Sequence, residues 1–242
     1  MTEFLNEYRR AWDSKPLLRL VYDDIYDRIE AVCRPGRTLE IGGGIGQLKS
    51  RLPNLVATDI QTAPWLDVVT DAQKLPFADN SFDNIVMVDV LHHIEYPALF
   101  LREAERVLRP GGRCVMVEPA ITWGSTLFYR FVHQEPVRMS VDPLAEGAPD
   151  PARDPYDSNQ AIPTLIVTRD RARLRALLPS FSIEQTDWFS FLVYPLSGGF
   201  KPWSLLPASL GQAGLRAERT IEKALGRFLA FRLLTVLQKD DR

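Results

Sequence analysis

Thr38-Leu39-Glu40-Ile41-Gly42-Gly43-Gly44-Ile45-Gly46-Gln47 runs an apolar strand straight into a glycine-rich turn. Glycine there lets the backbone bend tightly and lets a ligand approach with no Cβ in the way. In an open α/β sheet, ligands lie beyond the carboxyl ends of the strands, so the turn reads as a binding loop. The dinucleotide fingerprint G-x-G-x-x-G fails on it. Counted from Gly42, its third glycine would be Gln47; counted from Gly43, its second would be Ile45. The loop instead spells E-x-G-x-G-x-G through Glu40, Gly42, Gly44 and Gly46, with a helix expected after it.

Short apolar runs alternate with turns and helices from residue 37 to 118. The pattern predicts strands at 38–41, 55–58, 66–69, 84–88 and 113–118, with an amphipathic helix at 97–108. Such alternation, with strands rich in Ile, Val and Leu, predicts a parallel sheet covered on both faces. Residues 1–36 hold two helices. The second begins near Ser14 and Pro16, a cap and a first-turn proline, and Pro35-Gly36 stops it. Residues 119–168 break the rhythm with clustered prolines and a stretch rich in Gly, Pro, Asp and Ala, which predicts a lid. Residues 169–242 close the single domain, with a helix near 168–178, a strand near 181–186, a helical stretch near 215–229 and a last strand at 231–237.

The E-x-G-x-G-x-G loop resembles the first motif of class I S-adenosylmethionine-dependent methyltransferases. Four further segments are similar to that family in the same order: Val56–Asp59, Thr70–Phe77, Ser81–Ile94 and Arg106–Gly112. The resemblance covers residues 37–118, and Leu91-His92-His93 is like the small-molecule branch with a Leu-His-His signature. It implies a Rossmann-like, doubly wound α/β fold. That fold has a mostly parallel seven-stranded sheet, helices on both faces and an antiparallel edge hairpin, to which the composition of residues 119–168 adds a lid inserted after the fifth strand. It implies S-adenosylmethionine as cofactor and S-adenosylhomocysteine as product, held by Glu40, Gly42, Gly44, Gly46, Asp59, Asp71, Ala72 and Val88. Asp59 would take the ribose hydroxyls, which suits a bidentate carboxylate. Asp71 and the Ala72 N–H would meet the adenine, and the loop after Val88 would run beside the methionine part. One departure is visible. The span from Asp59 to Asp71 is too short for the usual helix, so Gln61–Trp65 is a short loop, and Trp65 either joins the core or partly closes the adenine side.

Methyl transfer from a sulfonium needs an oriented acceptor and exclusion of water more than it needs a protein nucleophile. A base is required where the acceptor loses a proton, as a hydroxyl does. His93, with His92 beside it, sits in the loop nearest the transferred methyl; a packing role and a base role both stand. Glu118 ends the fifth strand at the site edge. Trp123, Tyr129 and His133 in the insertion are the candidates for touching the acceptor, and the aromatic segments there and after Trp188 suit an apolar or aromatic one. The stretch Leu196–Leu206 mixes bulky apolar groups, glycines and a lysine, which fits peripheral membrane contact with a lipid-linked acceptor, a subunit interface or a buried hinge.

The 242-residue chain has 29 basic and 31 acidic side chains, a net charge of −2, which argues against a nucleic-acid partner. Two distant cysteines and three scattered histidines make neither a disulfide framework nor a metal site. Charged residues near the amino terminus exclude a signal peptide and apolar runs are short, so a cytoplasmic location is expected. The expected function is methylation of a small molecule, with oxygen favoured. The rivals are a non-catalytic methyltransferase-like scaffold and an NAD-dependent oxidoreductase.

Overall fold

The computed structural model describes residues 3–131 and 136–241. Helices α1 (Glu3–Ser14) and α2 (Pro16–Val32) lead in. Pro16 suits the first turn of α2, where an N–H would have no intrahelical acceptor. Ser14 does not cap α2. Its hydroxyl turns back to the Arg10 carbonyl at 2.8 Å, and Lys15 holds the cap position without a side-chain bond. The buried Lys15 ammonium reaches instead across the chain to the carbonyls of Gly199, Lys201 and Trp203, at 2.6, 2.7 and 2.8 Å.

Seven strands follow: β1 (Thr38–Ile41), β2 (Leu55–Asp59), β3 (Val68–Val69), β4 (Phe82–Val88), β5 (Leu108–Pro119), β6 (Phe181–Phe189) and β7 (Arg232–Lys239). They form one sheet in the order β3-β2-β1-β4-β5-β7-β6. The first five pair in parallel, and β7 runs antiparallel between β5 and β6, giving the expected edge hairpin. Alternate residues feed opposite faces, as the pleat requires. Ile85, Met87, Cys114 and Met116 face a core shared with α3 (Pro97–Val107), α5 (Ile162–Val167) and α6 (Arg171–Leu177). Val86, Val115 and Val117 face one shared with α2, α7 (Val193–Ser197) and α8 (Ala208–Leu229). Each such side chain, fully removed from water, stabilises by about 1.5–3 kcal/mol.

Several local expectations change. After the glycine loop there is no α-helix but a single 3₁₀ turn, Leu48–Ser50, because Pro53 and Asn54 lead at once into β2. The third strand is only Val68–Val69; Asp67 turns away so that its carboxylate accepts the Ala57 N–H at 2.8 Å. Both crossovers on this side of the sheet therefore lack an α-helix. The insertion contains α4 (Trp123–Phe131) and the fully buried α5, apolar but for Thr164 and so invisible to an amphipathic pattern. The helix expected from 168 is α6, starting at Arg171.

Candidate active site

The carboxyl ends of β1, β2 and β4 meet at the glycine loop. Gly44 has φ +48°, and a Cβ there would face open space, its nearest neighbour being the Gly42 carbonyl at 3.8 Å. Gly42, by contrast, is packed shut: a Cβ would lie 2.3 Å from the Val90 side chain. Gly44 is gripped through both of its backbone polar groups. Its N–H donates to Asp59 Oδ2 at 2.9 Å, and its carbonyl accepts the Trp65 indole N–H at 2.8 Å. Asp59 Oδ1 accepts the Gln61 N–H at 2.8 Å. Trp65 is thus a half-buried wall on the loop, with the Arg9 guanidinium of α1 4.3 Å above its ring.

Glu40 is buried under this loop, and its Oε2 has no hydrogen-bond partner among the described residues. Burial, reinforced by the charge of Asp59, pushes its carboxyl up to about 8. Asp71 accepts the Gln73 N–H at 2.8 Å, an Asx turn that orders the segment around buried Ala72. The Gln73 side chain in turn accepts the Tyr96 N–H at 3.0 Å.

Beyond Val88, Asp89 adopts φ +59°, a left-handed conformation that costs energy outside glycine. Val90 then fills Gly42, and Leu91–His93 make a 3₁₀ turn. Fully buried Glu118 organises that turn. It accepts the N–H groups of Val90 and Leu91 at 2.9 and 2.8 Å and pairs with His92 Nδ1 at 2.7 Å. His92 is therefore a positioning group, and half-buried His93 packs its ring 4.2 Å from that of His92.

Sequence reasoning missed a second cluster on the same edge. Arg232, 2% exposed at the start of β7, ion-pairs with Asp89 and lies 4.3 Å over the Tyr194 ring. Burial opposes the charge on Arg232, but Asp89 holds it firmly protonated. The Tyr22 hydroxyl reaches Asp89 Oδ2 at 3.4 Å, and Tyr22 packs edge-on against Trp12 and Phe200. Burial, then the Asp89 charge, pushes the Tyr22 phenol well above its ordinary range. An arginine opening an otherwise apolar strand was the available signal.

The insertion candidates do not converge. Trp123 is 84% exposed at the head of α4, whereas Tyr129 is buried against Phe128 and Phe231. His133 lies outside the described residues. The later part of the insertion is fastened to the histidine turn: Asn159 N–H donates to the His92 carbonyl at 2.9 Å and Arg153 to the His93 carbonyl at 2.7 Å. Among the described residues no cluster of His, Cys, Asp and Glu is arranged to hold a metal ion.

Residues 39–116 match the family described as a methyltransferase domain. The ubiquinone/menaquinone biosynthesis C-methyltransferase UbiE of Pseudomonas savastanoi is 34% identical over 105 residues, spanning 34% of this chain and 41% of that protein. The chain thus spans less than half the length of that curated relative. A Thermotoga maritima structure described as an S-adenosylmethionine-dependent methyltransferase, possible histamine N-methyltransferase, aligns with a TM-score of 0.59 at 16% identity, over 98% of this chain and 97% of that one. The 1,6-didemethyltoxoflavin-N1-methyltransferase of Burkholderia thailandensis, solved with S-adenosylhomocysteine bound, aligns with a TM-score of 0.51 at 15% identity, over 99% and 86%. The fold is that of class I methyltransferases.

Proposed function

We propose that the chain is an S-adenosylmethionine-dependent methyltransferase for a small apolar or aromatic acceptor, with oxygen the favoured acceptor atom. The Gly44 cradle carries the reading. It offers open space at the carboxyl end of β1 beside Glu40 and Asp59. The loop from Gly42 to Gln47 has no lysine or arginine, and no α-helix begins behind it. A pyrophosphate relies on such a helix N-terminus, so a dinucleotide fits poorly and a phosphate-free cation fits well. The unpartnered buried oxygen of Glu40 supports the same choice, since a nearby positive charge would favour its ionised form.

In this reading Asp59 binds the ribose, Asp71 and Ala72 the adenine, and the Glu40–Gly46 segment with Val88 the methionine end. When bound, S-adenosylmethionine supplies a methyl group already activated on a sulfonium. The protein then has to orient the acceptor and exclude water. The Asp89–Arg232 pair with Tyr22, Trp12 and Phe200 forms an aromatic, water-poor edge suited to an aromatic acceptor. His93 would accept the proton that a hydroxyl acceptor releases. A carbon acceptor is the second reading, favoured by the C-methyltransferase named among the relatives.

Calorimetry with S-adenosylhomocysteine and with NAD tests the cofactor. Binding of the former, lost in Gly44→Val, is expected; tight NAD binding with no response to S-adenosylhomocysteine would overturn the assignment. A labelled-methyl screen over phenols, enols and activated ring carbons then separates the two acceptor readings. Cofactor binding without turnover on any of them would instead support a non-catalytic scaffold.

A further inference from the structure

We propose that the C-terminal half of α8 and the head of α4 together form a docking surface for an anionic lipid bilayer. Ile221, Leu225, Phe228 and Leu229 recur at helical spacing on α8 and are all exposed, Phe228 at 59%. They continue onto α4, where Trp123 and Leu127, one turn apart, are 84% and 64% exposed. The two helices cross at Gly124, whose missing side chain lets Leu229 approach: a Cβ there would lie 3.0 Å from the Leu229 backbone. The exposed residues of the two elements therefore adjoin. Contiguous exposed apolar surface of this kind marks a binding face.

Charge selects the occupant. Every exposed charged side chain of α8 is basic: Arg216, Arg219, Lys223 and Arg227. Its two acids are turned inward. Glu218 is buried, accepting the N–H groups of Phe191, Leu192 and Val193, and Glu222 is held by Arg28. Arg219 is committed to Asp24, but Arg216, Lys223 and Arg227 form no ion pair among the described residues. Those three lie on the opposite side of the helix, roughly half a turn from the centre of the apolar row, at 3.6 residues per turn. An apolar face with a basic face opposite is the pattern of a helix lying in the plane of an anionic interface, its apolar side among the acyl chains and its basic side toward the headgroup region.

The surface lies apart from the segment that the sequence suggested for membrane contact. Within 196–206 the loop is clasped by Lys15, and Phe200 is stacked on Tyr8 at 4.2 Å. Among the described residues no helix is long and apolar enough to cross a membrane, so contact would be peripheral.

Flotation of the full chain with phosphatidylcholine vesicles, with and without phosphatidylserine, tests the proposal. Wild type is expected to float with the anionic vesicles and to be released by salt. Leu127→Gln/Phe228→Gln should weaken the association roughly tenfold or more, since each removes a large apolar contact. Lys223→Glu/Arg227→Glu should abolish the preference for anionic lipid. Circular dichroism and melting curves establish that the variants are folded; these side chains are exposed and should leave both unchanged. No flotation of wild type, flotation indifferent to both variants, or a dimer in light scattering that Phe228→Gln dissolves would each overturn it.

Discussion

The Trp65 indole donates to the Gly44 carbonyl while Asp59 takes the Gly44 N–H, so one residue of the glycine loop is fixed through both of its backbone polar groups by two side chains from the β2–β3 segment. The two residues should therefore act as a unit. Trp65→Phe keeps the ring and loses the bond, at a cost of about 1 kcal/mol. Asp59→Ala should cost S-adenosylhomocysteine affinity about 1.5–3 kcal/mol, the scale for hydrogen bonds to a charged group. Calorimetry on both single variants and the double should give a coupling energy above about 0.5 kcal/mol. Strict additivity would mean that the loop does not depend on this grip.

Glu40 should tie stability to pH. Its folded carboxyl titrates at about 8, above the ~4.3 of an unfolded glutamate. The folded state therefore holds an extra proton between those values, and stability must fall as pH rises through that window. The slope approaches about 1.4 kcal/mol per pH unit and flattens above pH ~8. Glu40→Gln should remove this component. Urea midpoints across the window measure it, and superimposable pH profiles for wild type and variant would contradict the burial argument.

Glu118 and His93 should separate by what they affect. Replacing Glu118 with Ala strands the buried N–H groups of Val90 and Leu91, at about 1–3 kcal/mol for each. Its urea midpoint should drop sharply with an unchanged slope. His93→Ala should leave the midpoint close to wild type and lower turnover in a pH-dependent way if His93 is the base. Full turnover in folded His93→Ala protein would exclude that role.

The parallel half of the sheet was legible because β1, β4 and β5 are buried on both faces, which forces near-continuous apolar runs such as Ile85–Val88. The glycine loop was legible because positive φ at Gly42, Gly44 and Gly46 leaves glycine as the residue of choice. Less of the proposed acceptor side could be read. Asp89 and Arg232 meet across the sheet from distant positions, and nothing in local spacing encodes that pairing. The missing helix after Gln47 escaped notice for a related reason: the family pattern specifies the turn, while the short run to Pro53 decides what can follow it.

The Asp89–Arg232 pair should be costly to break from one side. Asp89→Asn leaves the Arg232 guanidinium buried without its counter-charge, and breaking such a pair costs about 3–5 kcal/mol. Arg232→Met with Asp89→Asn removes both charges and should recover much of the loss. Chemical denaturation of the two singles and the double measures this. A double variant no more stable than Asp89→Asn would show that packing around Tyr194, rather than charge pairing, holds the corner.

The insertion should behave as a wall whose inner edge is already fixed. Its outer part, from Glu146 to Pro155, is mainly exposed and has few backbone partners, so those amides should exchange quickly. The inner edge differs. Asn159 donates to the His92 carbonyl at 2.9 Å and Gln160 to the Pro136 carbonyl at 3.0 Å, while Arg153 bonds the His93 carbonyl. The Asn159 and Arg153 bonds attach the insertion to the turn that Glu118 holds, while the Gln160 bond ties the insertion to itself, so Asn159 should open only as often as that turn does. Hydrogen exchange on the ligand-free protein should find the Asn159 amide slow, with little change on adding S-adenosylhomocysteine. Arg153→Ala should loosen one anchor and speed exchange at Asn159. Fast exchange at Asn159 in the free protein, slowed by cofactor product and acceptor together, would identify a lid that closes on binding. The wall would then have to be assigned to α5 alone, whose side chains are all buried and which packs against the same turn.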